Sequence, residues 1–341
     1  MGRKKLLSVF LLLVIGLVAC SSNSGEGDAN DATEAGDGKV FKLAHNLSED
    51  HVVHKAIKNF SDKIEEETDG EIEIDIYPNG ELGEEEEEVQ QVKNGSIEMT
   101  KVSAGTLESF NDKYRVFSLP YIFEGMDHYR DFMESDSIDE IYESTEDDGF
   151  IGISYIDSGT RSFYTTDEPI EKPEDLNGKK IRTMDSPTAT KMVEEMGGSA
   201  TPMGYDEIYT SLQQGVIDGA ESNPTALTDG KHGEVVDHFV YDEHTIIPDI
   251  LIINKDEWDD LTEEQQEIFK EVSDENREES SKLWEEEIDD AVSEAKEMGV
   301  EFHDVDKEPF AESTKPIIDE AKENDELKGI IENIENEGDT E

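Results

Sequence analysis

One cysteine, Cys20, stands among 341 residues. With no second thiol the chain can close no internal disulfide and offers no CxxC-type metal site. Cations are scarce as well, 29 Lys and Arg against 88 Asp and Glu, for a formal charge of −59. Phosphate binding requires a cationic face that such a chain cannot assemble, so nucleic acid is excluded as a partner. The acids are spread over nearly every segment instead of forming one block, which reads as a solvated surface adapted to brine and not as an acidic tail for a basic partner. The usual enzymatic signatures are missing too: no HExxH, no Walker loop, no GxGxxG after a strand and no GxSxG. Paired carboxylates are too frequent here to mark a glycosidase-type pair. His45, His51 and His54 cluster near the first helix but bring no fourth ligand, so neither a metal nor any other cofactor is expected.

Long apolar runs are equally absent, apart from Leu6 to Val18. That run is too short and wrongly flanked for a stable membrane span. Behind Arg3, Lys4 and Lys5 it reads as a secretion signal over residues 1–19. Its end, Leu17-Val18-Ala19-Cys20, resembles a bacterial lipobox, which implies a lipid anchor on Cys20. Residues 20–38 have the composition of a flexible tether. The folded part is therefore expected outside the cytoplasm, tied to the outer face of the cell membrane.

What is present from Lys39 onward is an α/β pattern. Val40 to Ala44 alternates as a strand, Val53, Ile57, Phe60 and Ile64 follow at helical spacing, and Ile72, Ile74 and Ile76 alternate again. This β-α-β start predicts a parallel sheet. Glu84 to Glu88 open the next helix, where a solvated acidic turn accounts for most of them. Val116 to Phe123 reads as core or inter-lobe packing, because Pro120 argues against a regular helix or central strand. A second α/β unit opens at Phe150, and its strands continue through Ile246 to Asn254. From about Leu261 to Met298, Phe269, Val272, Leu283, Trp284, Ile288 and Val292 keep one long helical register able to brace two lobes.

The stretch from Asp175 to Pro224 organises the rest. Arg182 closes a short strand of Lys179, Lys180 and Ile181. Beyond it Ser186 can cap a helix whose first position is Pro187. A further helix is predicted from about Tyr205 to Gln214, and Val216-Ile217 reads as a buried strand ending in Asp218 to Asn223. Strand ends facing a crevice are where open α/β sheets hold ligands, and an arginine with amide and hydroxyl groups suits an oxygen-rich anion.

Five segments in this order resemble the substrate-binding subunit of tripartite ATP-independent periplasmic (TRAP) transporters, the DctP-type family: TDGEIEIDIYPNGELGEEEE with QQVKNGSIEMT, VFSLPYIF, GTRSFYTTDEPIEKPEDLNGKKIRT, ATPMGYDEIYTSLQQGVIDGAESNP and HTIIPDILIINKDEWDDLTEEQQ. The match covers about Val40 to Phe310. The resemblance implies a two-lobed clamshell of the periplasmic-binding-protein kind, with mixed sheets and a long bracing helix. Lobe I would span 39–158 with parts of 248–330, lobe II 159–247, the helix 261–298 and an acidic tail 334–341. It further implies a monomer that holds a small organic acid between the lobes and delivers it to TRAP membrane subunits.

Residue by residue, Arg182 in KIR matches the family's principal carboxylate-binding arginine, Arg161 in GTR a second arginine, and Tyr205 in TPMGY an aromatic wall of the pocket. Ser222 stands where many relatives have asparagine, with Asn223 following it. Glu221 could accept hydrogen bonds from ligand hydroxyls, and Asn46, Glu85, Ser103 and His244 match positions from which relatives reach the ligand. The GAESN run is closer to the GAENN form of members that take sugar acids such as hexuronates than to the QENP form of sialate binders. A sugar acid is thus the first choice and a C4-dicarboxylate the second. A secreted enzyme on a similar scaffold would need a nucleophile or poised acid/base pair beside Arg182, and none stands out. A purely adhesive surface protein would leave two arginines at strand ends in so acidic a chain without a reason.

Overall fold

The computed structural model describes residues 38–338. The signal segment, Cys20 and all of the tether but Gly38 lie outside them. Among the described residues no helix is long and apolar enough to cross a membrane.

Among the described residues twelve strands run in chain order as β1 (Lys39–Ala44), β2 (Ile72–Tyr77), β3 (Met99–Ser103), β4 (Phe150–Ile156), β5 (Thr160–Thr165), β6 (Lys180–Thr183), β7 (Ser199–Pro202), β8 (Gly219–Ser222), β9 (His238–Tyr241), β10 (Thr245–Ile246), β11 (Asp249–Asn254) and β12 (Glu301–Asp304). They form two sheets, one ordered β2-β1-β3-β11-β4 and the other β12-β9-β5-β8-β6-β7 with β10 on β5. Both are mixed. In the first, β1 pairs in parallel with β2 and β3, while β11 returns antiparallel between β3 and β4. The β-α-β start follows its apolar spacing: Val53, Ile57, Phe60 and Ile64 of the helix Val52–Glu67 are fully buried. The chain crosses between the sheets after β4, recrosses between β10 and β11, and returns once more at β12.

The brace is the helix Glu263–Met298, a 36-residue element that at 1.5 Å per residue is about 54 Å long. Thr262 and Gln265 form a reciprocal capping box at its start, and Gly299 at φ 108° ends it. Phe269 packs on Phe41 and Phe60 of the first sheet's core, with ring centroids 6.4 and 5.9 Å apart. Ala295, near the other end, is buried with Tyr164, Leu227 and Phe239 of the second. Leu283, expected on the buried stripe, is instead exposed. Neighbouring Trp284 takes the inward place, lying so close to Gly159 that a β-carbon there would sit 2.7 Å from the indole nitrogen.

Two sequence expectations need correction. Val216-Ile217 is not a strand: Val216 is exposed, and the strand begins at Gly219, where a side chain would meet the Tyr164 carbonyl at 2.4 Å. Small residues, Gly219 and Ala220, open the strand where it is squeezed between β5 and β6. The expected acidic tail from residue 334 is helical as far as it is described: the helix Asp325–Gly338 runs through 334–338 and buries Leu327, Ile330, Ile331 and Ile334 along one face. Their spacing is helical, but the surrounding acids hid it.

Candidate functional site

A cleft between the sheets is lined from the first by Asn46, His51, Glu84, Glu85, Lys101, Ser103, Thr106 and Asp249, and from the second by Arg161, Arg182, Tyr205, Ser222, Asn223 and Thr225. Eight of the ten residues expected at the site therefore meet there: Arg182, Arg161, Tyr205, Ser222, Asn223, Asn46, Glu85 and Ser103. Glu221 and His244 do not line it.

Arg182 is placed by the short strand β6 and by the helix that follows, whose cap Ser186 accepts from Ala189 N at 3.0 Å with Pro187 in the first position. Its Nε and Nη2 donate to the Met203 carbonyl at 3.0 and 2.8 Å, which fixes the guanidinium and leaves its Nη1 side available. Burial lowers its pKa, Glu221 opposes that, and Arg161 adds to it. Among the described residues no carboxylate forms an ion pair with Arg182.

Arg161 differs. Its Nε donates to Glu221 Oε2 at 2.5 Å and its Nη2 to the Glu221 carbonyl at 2.7 Å. Burial would raise the Glu221 pKa, but Arg161 and His244 hold it down at about 2. Behind it, His244 Nδ1 lies 2.6 Å from Asp242 Oδ2 and its Nε2 3.6 Å from Glu221. Burial would discharge His244, yet Asp242 and Glu221 raise its pKa to about 9. Glu221 and His244 thus form a buried charge row behind the wall that sets the position of Arg161. The GTR…GAES…YDEH arrangement places all of them, but only the pairing of β5 with β8 and β10 shows which face the cleft.

The opposite wall holds residues that sequence reasoning passed over. Lys101, fully buried on β3, donates to Asn46 Oδ1 at 3.2 Å, Glu85 Oε1 at 2.9 Å and Asp249 Oδ1 at 3.2 Å. Burial alone would neutralise it, but Asp249 and Glu85 raise its pKa above the ordinary lysine value. The second oxygen of Glu85 accepts from Thr106 at 2.8 Å. Glu88 is buried too, on Thr100, so the acidic turn is only partly solvated. His51 caps its helix by accepting from Val53 N at 3.1 Å, and burial followed by Lys101 lowers its pKa to about 3. It therefore faces the cleft as a neutral ring. Of the triplet weighed for metal, His45 and His54 contact each other at 3.0 Å, and neither lines the cleft.

Around the cleft, Asn223 is spent on structure, donating to the Ser158 carbonyl at 3.0 Å and accepting from Thr225 Oγ1 at 2.7 Å. Ser222 makes no side-chain hydrogen bond to the described residues and presents its hydroxyl to the cleft. Tyr205 leans on His232, ring centroids 5.5 Å apart. Two sheets joined by crossing strands, a brace along both and a polar cleft between them define a two-lobed solute receptor. The chain belongs to the DctP family, bacterial extracellular solute-binding protein family 7, the substrate-binding subunits of TRAP transporters, with residues 43–325 matched.

Among curated relatives, an uncharacterised protein of Salmonella typhimurium, YiiZ, is 42% identical over 298 residues, 87% of this chain and 91% of that one. The 2,3-diketo-L-gulonate-binding periplasmic protein YiaO of Escherichia coli is 26% identical over 91% of this chain and 92% of its own. Among solved structures, a TRAP periplasmic solute-binding protein from Anaerococcus prevotii with bound D-glucuronate matches with a TM-score of 0.85 and 39% identity, covering 87% of this chain and 97% of that one. One from Xanthobacter autotrophicus with bound β-D-galacturonate matches at 0.83 and 33%, covering 86% and 98%. The site is thus that of an extracytoplasmic solute receptor working with TRAP membrane subunits.

Proposed function

We propose that this receptor captures a hexuronate, D-glucuronate or D-galacturonate, as a monoanion whose carboxylate sits on Arg182. The observation that carries the reading is how the charges along the cleft are paired, not their number. Of its three buried cations, Lys101 is matched by Glu85 and Asp249 and Arg161 by Glu221, which leaves Arg182 without a carboxylate among the described residues. Burying an unmatched charge is unfavourable, so one incoming anion is favoured and a second is not. Around that carboxylate Ser222, Ser103, Asn46 and Glu85 offer donors and acceptors suited to sugar hydroxyls, while both ring nitrogens of the neutral His51 are held by Val53 N and Thr225 Oγ1. The structures with bound glucuronate and galacturonate support the same choice. A C4-dicarboxylate would bring two charges to one vacancy. In a thermal-shift titration, D-glucuronate and D-galacturonate at a hundred times their dissociation constants are expected to add about 2.7 kcal/mol each. Succinate stabilising the protein more than either sugar acid would overturn the assignment. The ligand should also be recovered unchanged after long incubation, as a receptor without catalysis requires.

The same proposal includes a lipid anchor on Cys20, a monomeric state and a surface adapted to brine. Removal of residues 1–19 takes away Arg3, Lys4 and Lys5 and no acid, so the mature charge is 26 − 88 = −62. Repulsion among these carboxylates opposes folding, and the screening length falls from ~30 Å at 0.01 M salt to ~3 Å at 1 M. The melting temperature of the ligand-free protein is therefore expected to climb as sodium chloride is raised from dilute buffer to molar concentration. A flat or falling curve would rule out the brine-adapted surface.

A further inference from the structure

The second sheet ends on β12, which follows the long helix directly and pairs in parallel with β9, Glu301 opposite His238 and His303 opposite Val240. Strand alternation sends Phe302 one way, onto Phe239 and Tyr241 with ring centroids 5.2 and 5.6 Å apart. Glu301 and His303 go the other way, to the face on which their neighbour His238 also stands. His238 Nδ1 lies 3.1 Å from His303 Nε2 and 4.0 Å from the Glu301 carboxylate. One ligating atom from each of the three falls within 4.8 Å of the other two. None of them lines the ligand cleft.

We propose that His238, Glu301 and His303 bind a divalent transition-metal ion, Zn²⁺ by preference, at the rim of the second lobe. A tetrahedral ion with Zn–N bonds of about 2.0–2.1 Å holds its nitrogens roughly 3.3–3.4 Å apart, close to the spacing already set by the two strands. Glu301 must swing inward by on the order of 1 Å to reach bonding range, and its side chain, 72% exposed, is free to do so. Two imidazoles and one carboxylate suit Zn²⁺, Ni²⁺ or Cu²⁺, whereas Ca²⁺ and Mg²⁺ prefer oxygen throughout. The fourth position stays open to water. The large negative charge of the chain raises the local cation concentration, which favours loading. Bound there, the ion ties β12 to β9, and with it the Gly299 end of the brace to the second sheet.

The test is titration of the chelator-treated protein with Co²⁺, followed by displacement with Zn²⁺, in molar sodium chloride to suppress loose binding to surface carboxylates. One equivalent is expected to give visible d–d absorption, bind with a defined affinity and raise the melting temperature. His303→Ala and His238→Ala should each weaken Zn²⁺ binding at least tenfold and remove the thermal shift, while D-glucuronate binding stays at the wild-type level. Glu301→Gln, at an exposed position that the fold does not need, should weaken binding severalfold and serves as the readout if a histidine variant fails to fold. Zn²⁺ affinity unchanged in the Glu301 and folded histidine variants, or no stoichiometric site in the wild type, would overturn the proposal.

Discussion

Replacing Arg182 by alanine is expected to weaken D-glucuronate binding by about 2–5 kcal/mol, or roughly thirty- to several-thousand-fold, while leaving the ligand-free fold nearly unchanged. The two halves of that expectation have one cause. Among the described residues Arg182 donates only to the Met203 carbonyl, at 3.0 and 2.8 Å, and to no carboxylate. Truncation then strands one carbonyl beside a polar cleft, where water can reach it, and also removes repulsion from Arg161. With ligand bound, the same truncation leaves a desolvated carboxylate without its partner, which is where the large loss arises. Lysine should restore little, because a point charge cannot reproduce a planar two-pronged contact. Arg161→Ala would behave differently, since it strands the buried Glu221 and should lower stability together with affinity. Isothermal calorimetry on the folded Arg182→Ala protein decides the matter: affinity within twofold of wild type would remove Arg182 from its role.

Arg182 could be read from the sequence because its signals are local. A short strand, a cationic end and a Ser-Pro helix start all lie within the nine residues from Lys179 to Pro187, and the fold adds little to them. The long brace was legible for the same reason, with Phe269, Val272 and Trp284 on one register. Lys101 was not legible. A lysine between Thr100 and Val102 in an acidic chain looks like a solvated strand residue, and its burial depends on Glu85 and on Asp249, 148 positions away. His51 hid among three neighbouring histidines, although its place just before the apolar helix was a capping signal. Glu221 and His244 failed in the other direction: their motif was recognised, but the side of the strand they occupy is set by pairing across β5, β8 and β10, which no local pattern states.

Lys101→Met should be the most damaging single change to the ligand-free protein. Its ammonium is the shared partner of Glu85 and Asp249, and its loss leaves both carboxylates buried with nothing to balance them. Breaking such a buried ion pair costs about 3–5 kcal/mol, a large share of the 5–15 kcal/mol typical of a folded domain. The carboxylates limit that loss by taking up protons, so the damage must depend on pH, and its sign follows from linkage. In the variant the folded-state pKa of Glu85, which Lys101 holds below its ordinary value in the wild type, rises above its unfolded value of roughly 4, and that of Asp249, already raised by burial, rises further. The native state then binds protons that the unfolded state releases, and stability falls as pH rises from about 4 towards those raised values. The gap between variant and wild type should accordingly be narrow near pH 5 and widest at pH 8. Urea melts at the two pH values, both in molar salt so that surface repulsion is held constant, measure it directly. A gap that stays the same or narrows towards pH 8 would show that Lys101 is not what keeps these two acids charged inside the cleft wall.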